Sequence, residues 1–120
     1  METECEQRLE KIMDGFHHCR GALTAIGDET RQLILFSLLQ SSLSGIRVGE
    51  IARMTHLTRP SVSHHLQILK EAGIVNVRKQ GTMNFYYISA DETRWKSIVD
   101  LINLVYEGIR HIGNSQEDSR

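Results

Sequence analysis

The 120-residue sequence lacks three features that would each point to a particular class of protein. No apolar run approaches the roughly eighteen residues of a membrane-spanning helix, so no membrane partner is expected. Only two cysteines are present, which excludes a disulfide framework and favours the reducing cytoplasm. Fourteen lysines and arginines face fifteen aspartates and glutamates, and this net charge of −1 excludes a basic tail or an acidic spacer.

Catalytic motifs are also missing from the chain. It contains no glycine-rich phosphate loop, no HExxH and no GxSxG motif. Ser61, Ser63, His64 and His65 superficially resemble a nucleophile with its base, but they fall on one short predicted helix without a distant acid. We therefore expect that the protein is not an enzyme.

The composition that is present fits one globular domain, with 40% hydrophobic and 24% charged residues. The charge is unevenly distributed. Residues 1–14 hold five acidic and two basic side chains, and this acidic start does not resemble a secretory signal. Residues 53–80 hold five basic residues and one acidic residue. Such a basic segment is typical of a nucleic-acid contact surface, and a solvated surface face is the alternative.

Apolar residues at three- and four-residue spacings predict five helices. Asp28 and Thr58 are suited to cap the second and fourth of them, and Gly73 is suited to end the fourth. The expected bounds are about 4–24, 29–40, 48–54, 59–72 and 91–112. The apolar stripe of the first helix consists of Cys5, Leu9, Ile12, Met13, Phe16, Cys19 and Leu23. The second helix is expected to bury Leu33, Ile34, Phe36, Leu38 and Leu39.

A change of pattern after the fourth helix predicts a β-hairpin over about 74–89. β-forming residues flank the polar segment 78–84, which has a central glycine and would form an exposed tip carrying Arg78 and Lys79. Residues 113–120 are polar and are expected to form a flexible tail.

The order of these elements is that of a winged helix-turn-helix. We therefore predict a mainly α (α+β) fold with about five helices and a two-stranded β-hairpin wing. The helix after Thr58 would enter the major groove, because its outward residues can hydrogen-bond base edges or phosphates. The predicted DNA-contacting residues are Thr58, Arg59, Ser61, Ser63, His64 and Gln67 on this helix, and Arg78 and Lys79 on the hairpin.

Three segments carry a family resemblance: LTAIGDETRQLIL at 23–35, TRPSVSHHLQILKEAGIV at 58–75 and RKQGTMNFYYI at 78–88. In this order they resemble the opening, the recognition helix and the wing of the ArsR/SmtB family of bacterial repressors. The resemblance implies a homodimeric transcriptional regulator that binds double-stranded DNA, commonly a repressor released by an inducer. It also implies that the first and last helices form the dimer interface.

The expected organisation is one DNA-binding and dimerisation domain over residues 1–112, followed by the tail. The helix-turn-helix would span about 47–70, the wing about 74–89, and the dimerisation helices about 4–24 and 91–112. The expected function is repression through a palindromic operator. No cofactor is expected, and the inducer, whether a small molecule or an oxidant, is not identified by the sequence.

Many relatives in the resembling family sense metals, but their two common sites are not matched here. The positions of one Cys-x-Cys site are occupied by Arg47 and Gly49, so no thiolate is available. The positions that match the second site are Asp91, Thr93, Leu104 and Glu107, so both imidazoles are missing. Two carboxylates alone would bind zinc or nickel poorly. Neither metal site is therefore expected.

Two alternatives remain open. One is a thiol- or metal-responsive sensor built from Cys5, His17, His18, Cys19 and His111. Against it, both cysteines fall on the apolar stripe of the first helix, where a free thiol usually packs as a small hydrophobic side chain. The other alternative is a winged helix used only for protein–protein contact, which would bind DNA weakly and without sequence preference.

Overall fold

The computed structural model describes residues 3–42 and 44–118, with side chains as far as residue 113. It confirms the predicted class, because five helices and one two-stranded antiparallel hairpin make up the described chain. In chain order the elements are α1 (Glu4–Ile26), α2 (Glu29–Leu39), α3 (Val48–Thr55), α4 (Arg59–Glu71), β1 (Asn76–Gln80), β2 (Met83–Tyr87) and α5 (Trp95–Asp118).

Local capping chemistry sets most of the helix ends. The side chain of Asp28 accepts a hydrogen bond from the backbone N–H of Arg31 at the start of α2. Thr58 caps α4 in the same way, and Pro60 lies in the first turn, where a missing N–H costs nothing. Gly73 follows the end of α4 with a φ of +77°, a left-handed conformation that glycine adopts without strain. These three predicted helix signals are confirmed.

Helix α5 begins later and ends later than predicted. It starts at Trp95 rather than Asp91, because the Trp95 indole N–H donates to the carbonyl of Ile74 at 3.2 Å and fixes the start against the chain after α4. It continues through Gly113 to Asp118, since one glycine in a helix costs only about 1 kcal/mol. The expected tail is therefore helical over 113–118, and residues 119–120 lie outside the described residues.

The hydrophobic core lies between α2, α3 and α4, with contributions from α1 and α5. The largest fully buried side chains are Ile34, Ile51, Leu66, Leu69, Ile74, Leu101, Val62 and Cys19. The prediction for α2 was wrong in part: Leu33, Phe36 and Leu39 are exposed, and Leu35 is buried instead. The five positions predicted for burial cannot all share one face of a helix with 3.6 residues per turn.

Helices α1 and α5 pack closely against each other and extend beyond the core. Glycines permit the close approach, since a Cβ at Gly15 would lie 2.9 Å from Leu101 and one at Gly108 would lie 3.3 Å from Ile12. The radius of gyration is 18.6 Å, compared with about 14 Å for a compact chain of this length. Over the described residues, no helix is both long and apolar enough to cross a membrane.

The hairpin is attached to α3 and forms the wing, defined here as β1, β2 and the turn between them. Val77 pairs with Tyr86, and Lys79 pairs with Asn84. Gly81 makes the turn with a φ of +65°. Backbone hydrogen bonds in both directions join Ile46, just before α3, to Tyr86 in β2. This bridge fixes the position of the wing beside the helix-turn-helix.

Candidate nucleic-acid interface

Helix α4 has a polar outer face because its apolar side chains are buried in the core on the opposite face. Val62, Leu66 and Leu69 are completely buried. The side chains of Ser63, His64 and Gln67 are exposed, whereas Ser61 is half-buried. The Thr58 hydroxyl accepts the backbone N–H of Ser61 at 3.2 Å and caps the helix. Five of the predicted contact residues therefore lie on or beside one accessible stretch of α4: Thr58, Ser61, Ser63, His64 and Gln67.

Two of the exposed side chains on α4 already have neighbours on the same helix. The Gln67 amide donates to the Glu71 carboxylate at 2.8 Å. The rings of His64 and His65 lie edge to face, with centroids 5.4 Å apart. His65 itself is half-buried, behind the outward His64. Ser63 and His64 are thus the polar groups near the middle of α4 that face solvent most directly.

Arg59 lies against the start of α3 instead of extending along α4. A Cβ placed on Gly49 would come within 2.9 Å of its guanidinium, so glycine makes room for the arginine. Beside it, α3, the start of α4 and the wing enclose an open groove of about 950 Å³. Its lining includes Arg47, Arg53, Arg59, Ser63, Thr82 and Asn84. Three arginines and one carboxylate, that of Glu50, line this groove, and the excess of positive charge makes it a candidate for contacts to phosphate.

Arg53 is held in this groove by Glu50. Its Nε donates to the Glu50 carboxylate at 3.1 Å, and its Nη2 makes a second bond to the other oxygen. This pairing lowers the pKa of Glu50 and raises that of Arg53. In the sequence, Arg53 is noted only as part of the basic segment. Arg47 is noted only because it occupies a position where the family's metal site has a cysteine. Arg47 is the N-cap residue of α3 and Arg53 lies in its last turn, and nothing in the sequence signals that both border the wing.

The wing places its two predicted contact residues differently from the expectation. Arg78 and Lys79 lie on β1, and the tip of the wing is formed by Gly81 and Thr82. The hairpin turn is tighter than predicted, because part of the polar segment pairs as strand. Arg78 donates to the backbone carbonyl of Ser44 at 3.0 Å, whereas the side chain of Lys79 is exposed.

Arg78 is also packed against its neighbours on the wing. Its guanidinium carbon lies 4.8 Å from the centre of the Phe85 ring, a cation–π arrangement. Its Nη1 donates to the Gln80 amide oxygen at 3.1 Å. Asn84, on the facing strand, has a buried side-chain oxygen without a hydrogen-bond partner in the described structure, and this residue lines the groove. Because this oxygen is buried, the groups that the wing presents to a ligand are its basic side chains.

The residues considered for a sensor are spread over several places. Cys5 and His111 both line a groove of about 440 Å³ between the start of α1 and the end of α5. His17 and His18 are exposed on α1, and Cys19 is buried at 1% exposure. Within the described part of the chain, no three histidine, cysteine or acidic side chains lie close enough to hold a metal ion.

Comparison with known proteins gives a consistent result. The family model described as "Bacterial regulatory protein, arsR family" matches residues 28–77. An HTH-type transcriptional regulator of Methanocaldococcus jannaschii, MJ1325, is 41% identical over 91 residues, which cover 76% of this chain and 98% of that protein. The transcriptional activator HlyU of Vibrio cholerae is 36% identical, over 70% of this chain and 73% of its own. The transcriptional repressor SdpR of Bacillus subtilis is 31% identical, over 70% and 89%.

A solved structure agrees with the observed architecture. The homodimeric winged helix-turn-helix DNA-binding domain of Mb0332 from Mycobacterium bovis superposes with a TM-score of 0.56 and 26% sequence identity. The match covers 86% of this chain and 88% of that one. The order of helices and wing described above is therefore shared with a protein of known structure.

Proposed function

Because the chain belongs to the arsR family of bacterial regulatory proteins, we propose that it is a homodimeric repressor that binds a palindromic DNA operator. The family consists of transcriptional regulators, and the structure supplies a surface suited to DNA. The observation that carries the proposal is the polar, N-capped outer face of α4 beside a groove lined by three arginines. Such a face fits the major groove, whose width admits one helix.

Contacts to base edges are assigned to the exposed middle of α4. Ser63 and His64 can donate to or accept from base edges, and Gln67 can do so once it releases Glu71. The start of α4, with Thr58 and Ser61, provides backbone N–H groups and the positive end of the helix dipole, which favour a phosphate. Specificity would therefore come from the middle of the helix and registration on the duplex from its start.

Contacts to phosphate are assigned to the groove and to the wing. Arg47, Arg53 and Arg59 line the groove between α3 and the wing, and Arg53 can reach a phosphate once it releases Glu50. On the wing, Lys79 is exposed, whereas Arg78 is already bonded to Ser44 and Gln80. Lys79 is therefore the wing residue expected to contribute most to DNA affinity.

Dimerisation is assigned to α1 and α5, because their outer sides expose large apolar side chains. These are Leu9, Met13, Phe16, Val99, Ile102, Tyr106, Ile109 and Ile112. Burial of one such side chain contributes about 1.5–3 kcal/mol, so several across an interface stabilise a dimer. The extended shape of the protomer, 61 Å in its longest dimension, leaves this face uncovered in one copy. Two copies of α4 would then meet half-sites about 10 base pairs apart, or a multiple of that spacing.

Repression is the proposed direction of regulation. The proposed location is the cytoplasm, where the chromosome lies, and no cofactor is proposed. The inducer, if a small molecule or an oxidant releases the protein from DNA, is left open. The two relatives named for an activator and a repressor show that this direction has to be measured. A reporter fused to the promoter of the protein's own gene should be more active when the gene is deleted. Lower activity in the deletion would identify an activator instead.

The decisive test is a titration of the protein against DNA from upstream of its own gene and against a scrambled duplex. We expect tight binding to the upstream DNA, with a specificity ratio of roughly a thousandfold or more. Footprinting should show two protected half-sites related by a two-fold axis. Equal, weak binding to both duplexes would contradict the proposal and favour a protein–protein interaction module.

A further inference from the structure

One arginine connects three helices of the domain. The Nε of Arg31 donates to the carbonyl of Ala25 at 2.6 Å, and its Nη2 donates to the carbonyl of Thr24 at 3.4 Å. Both carbonyls lie near the end of α1. The Nη1 of the same guanidinium lies 3.3 Å from the Nδ1 of His65, on α4. Because Arg31 belongs to the first turn of α2, a single side chain joins α1, α2 and α4.

The hydrogen bonds from Arg31 to the end of α1 hold one side of the guanidinium in place. The last carbonyls of a helix have no partners within it, and α1 has no basic residue in its last turn. Arg31 supplies both the hydrogen bonds and the positive charge that the negative end of the helix dipole favours. The backbone N–H of Arg31 is itself held by the Asp28 carboxylate at 2.9 Å. The guanidinium is therefore fixed on one side, and its contact with His65 is the part that can change.

The contact between Arg31 and His65 requires one particular form of the imidazole. An arginine can only donate, so the Nδ1 of His65 must be the unprotonated acceptor, and the ring must carry its proton on Nε2. Uptake of a second proton would place an N–H on Nδ1, opposite another donor, and would bring two cations together. Proton uptake by His65 therefore breaks this hydrogen bond.

Other groups around His65 modify this effect without removing it. From α2, the Asp28 carboxylate lies within electrostatic reach of His65 and would offset part of the repulsion. From α1, the nearby polar atoms bonded to Arg31 are backbone carbonyls, which do not titrate. On α4 itself, the ring of His64 packs edge to face against His65 and can also become charged.

We propose that Arg31 positions α4 through His65, and that proton uptake by His65 breaks this link and weakens operator binding. The inference rests on the proposed DNA-binding function. It assigns Arg31 and His65 as positioning residues and not as DNA contacts, because His65 is half-buried behind His64. Since α1 belongs to the proposed dimer face and α4 to the DNA face, the link fixes the angle at which each α4 meets its half-site.

The test compares two neighbouring histidine variants. His65→Asn replaces the ring by an amide whose Oδ1 can accept from Arg31 in place of Nδ1 and cannot take up a proton. His64→Asn is the comparison for the ratio of affinities at the two pH values, because its lost DNA contact lowers the affinity at both and it leaves the contact with Arg31. Operator dissociation constants are measured for both at about pH 7.5 and about pH 5.5, the range over which imidazole ordinarily changes its charge. Circular dichroism at both values confirms that each variant is folded.

We expect His64→Asn to bind the operator about threefold to tenfold more weakly at the lower pH, the equivalent of one net hydrogen bond. His65→Asn should show no loss of operator affinity at the lower pH. Arg31→Lys keeps the charge but has one nitrogen, so it should bind the operator weakly even at the higher pH. The same dependence on pH in both histidine variants would overturn the proposal.

A measurement without DNA separates this inference from the proposed function. Long-range proton–nitrogen NMR correlations of the free protein should show the His65 proton on Nε2 at about pH 7.5. In Arg31→Ala, the same correlations should show a smaller fraction of His65 with its proton on Nε2. A proton on Nδ1 in the unaltered protein would overturn the inference whether or not the protein binds DNA. Failure of every variant to bind the upstream DNA, with the Nε2 form intact, would instead count against operator binding and with it the proposed role of the link.

Discussion

The guanidinium of Arg59 lies over Gly49 of α3. Because glycine has no Cβ, Arg59 can occupy this position on the proposed DNA face. A methyl group at position 49 would lie 2.9 Å from the guanidinium of Arg59 and would force it to move. The obstruction involves only the far end of a flexible side chain, so the backbone does not have to shift. A methyl group at position 49 should therefore affect DNA affinity, through Arg59, and not the stability of the fold.

Gly49→Ala is therefore expected to weaken operator binding without destabilising the fold. Alanine in place of glycine inside a helix contributes about 0.5–1 kcal/mol to stability, which offsets the cost of moving Arg59. The midpoint of urea unfolding should be unchanged or higher, while the operator dissociation constant rises. Arg59→Ala should show a similar loss of affinity, and in that background Gly49→Ala should have no further effect. Additive losses in the double variant would show that Gly49 acts independently of Arg59.

Ile102→Glu is expected to dissociate the proposed dimer. Ile102 is 53% exposed in one protomer, on the apolar side of α5. In a symmetric dimer the substitution would be present twice, so the dissociation constant should rise by at least about a hundredfold. Asn103→Glu is the matched control, because it adds the same charge at the next, exposed position of α5. Sedimentation equilibrium at micromolar concentration gives the result. A folded monomer already present in the unaltered protein would contradict dimerisation through this face.

Substitutions on α4 and on the wing should change DNA binding in different ways. His64→Ala is expected to cost roughly 1–3 kcal/mol on the operator and to reduce preference at particular positions, whereas Arg59→Ala, which removes a proposed phosphate contact, should weaken binding on both duplexes. Lys79→Ala should weaken binding about equally on operator and scrambled duplexes, and lower the salt slope by about one for each phosphate that is no longer neutralised. Titrations of both duplexes at several salt concentrations measure this. Loss of specificity in Lys79→Ala, with specificity kept in His64→Ala, would reverse these roles.

The helix signals in the sequence were reliable where local chemistry alone decides the structure. The caps at Asp28 and Thr58 and the end of α4 at Gly73 each depend on atoms within a few residues, and the structure confirms all three. The start of α5 was predicted at Asp91, but the bond from Trp95 to the distant carbonyl of Ile74 determines it. A contact over such a sequence separation has no periodic signal in the chain.

The candidate site was also predicted only where it depends on local sequence. A helical pattern identified the outward face of α4, because burial of Val62 and Leu66 leaves the remaining positions to solvent. The groove beside it was not predicted, since Arg47 and Arg53 become part of one surface only when the wing packs next to α3. Which of these residues bind DNA stays a prediction.

Cys19→Ser is expected to destabilise the protein. Cys19 is 1% exposed within the hydrophobic core, so its thiol behaves as a small apolar side chain. A serine hydroxyl at this position would be buried, and without a partner it would cost about 1–3 kcal/mol. Cys5→Ser, at an exposed position, is the matched control and should leave the unfolding midpoint nearly unchanged. In the folded protein, Cys19 should react with a thiol reagent only at the rate of unfolding. Fast modification of Cys19 under native conditions would contradict its burial and reopen a thiol-sensing role.

Asp28 should make stability depend on pH in the acidic range. The hydrogen bond from the backbone N–H of Arg31 is the main cause that lowers the pKa of Asp28 in the folded protein. Its contribution to stability is therefore complete above the ordinary aspartate pKa of about 4 and is lost as the pH falls through the lower folded value. Asp28→Asn can still cap α2 through its amide oxygen but has no charge, so it should unfold at a lower temperature than the unaltered protein near neutral pH. The difference in midpoint should shrink as the pH falls below about 4, where the aspartate becomes protonated. Asp91→Asn, in the bend before α5, is the matched control and should not follow this course. A constant difference between Asp28→Asn and the unaltered protein down to the lowest pH would show that the charge of Asp28 does not stabilise the fold.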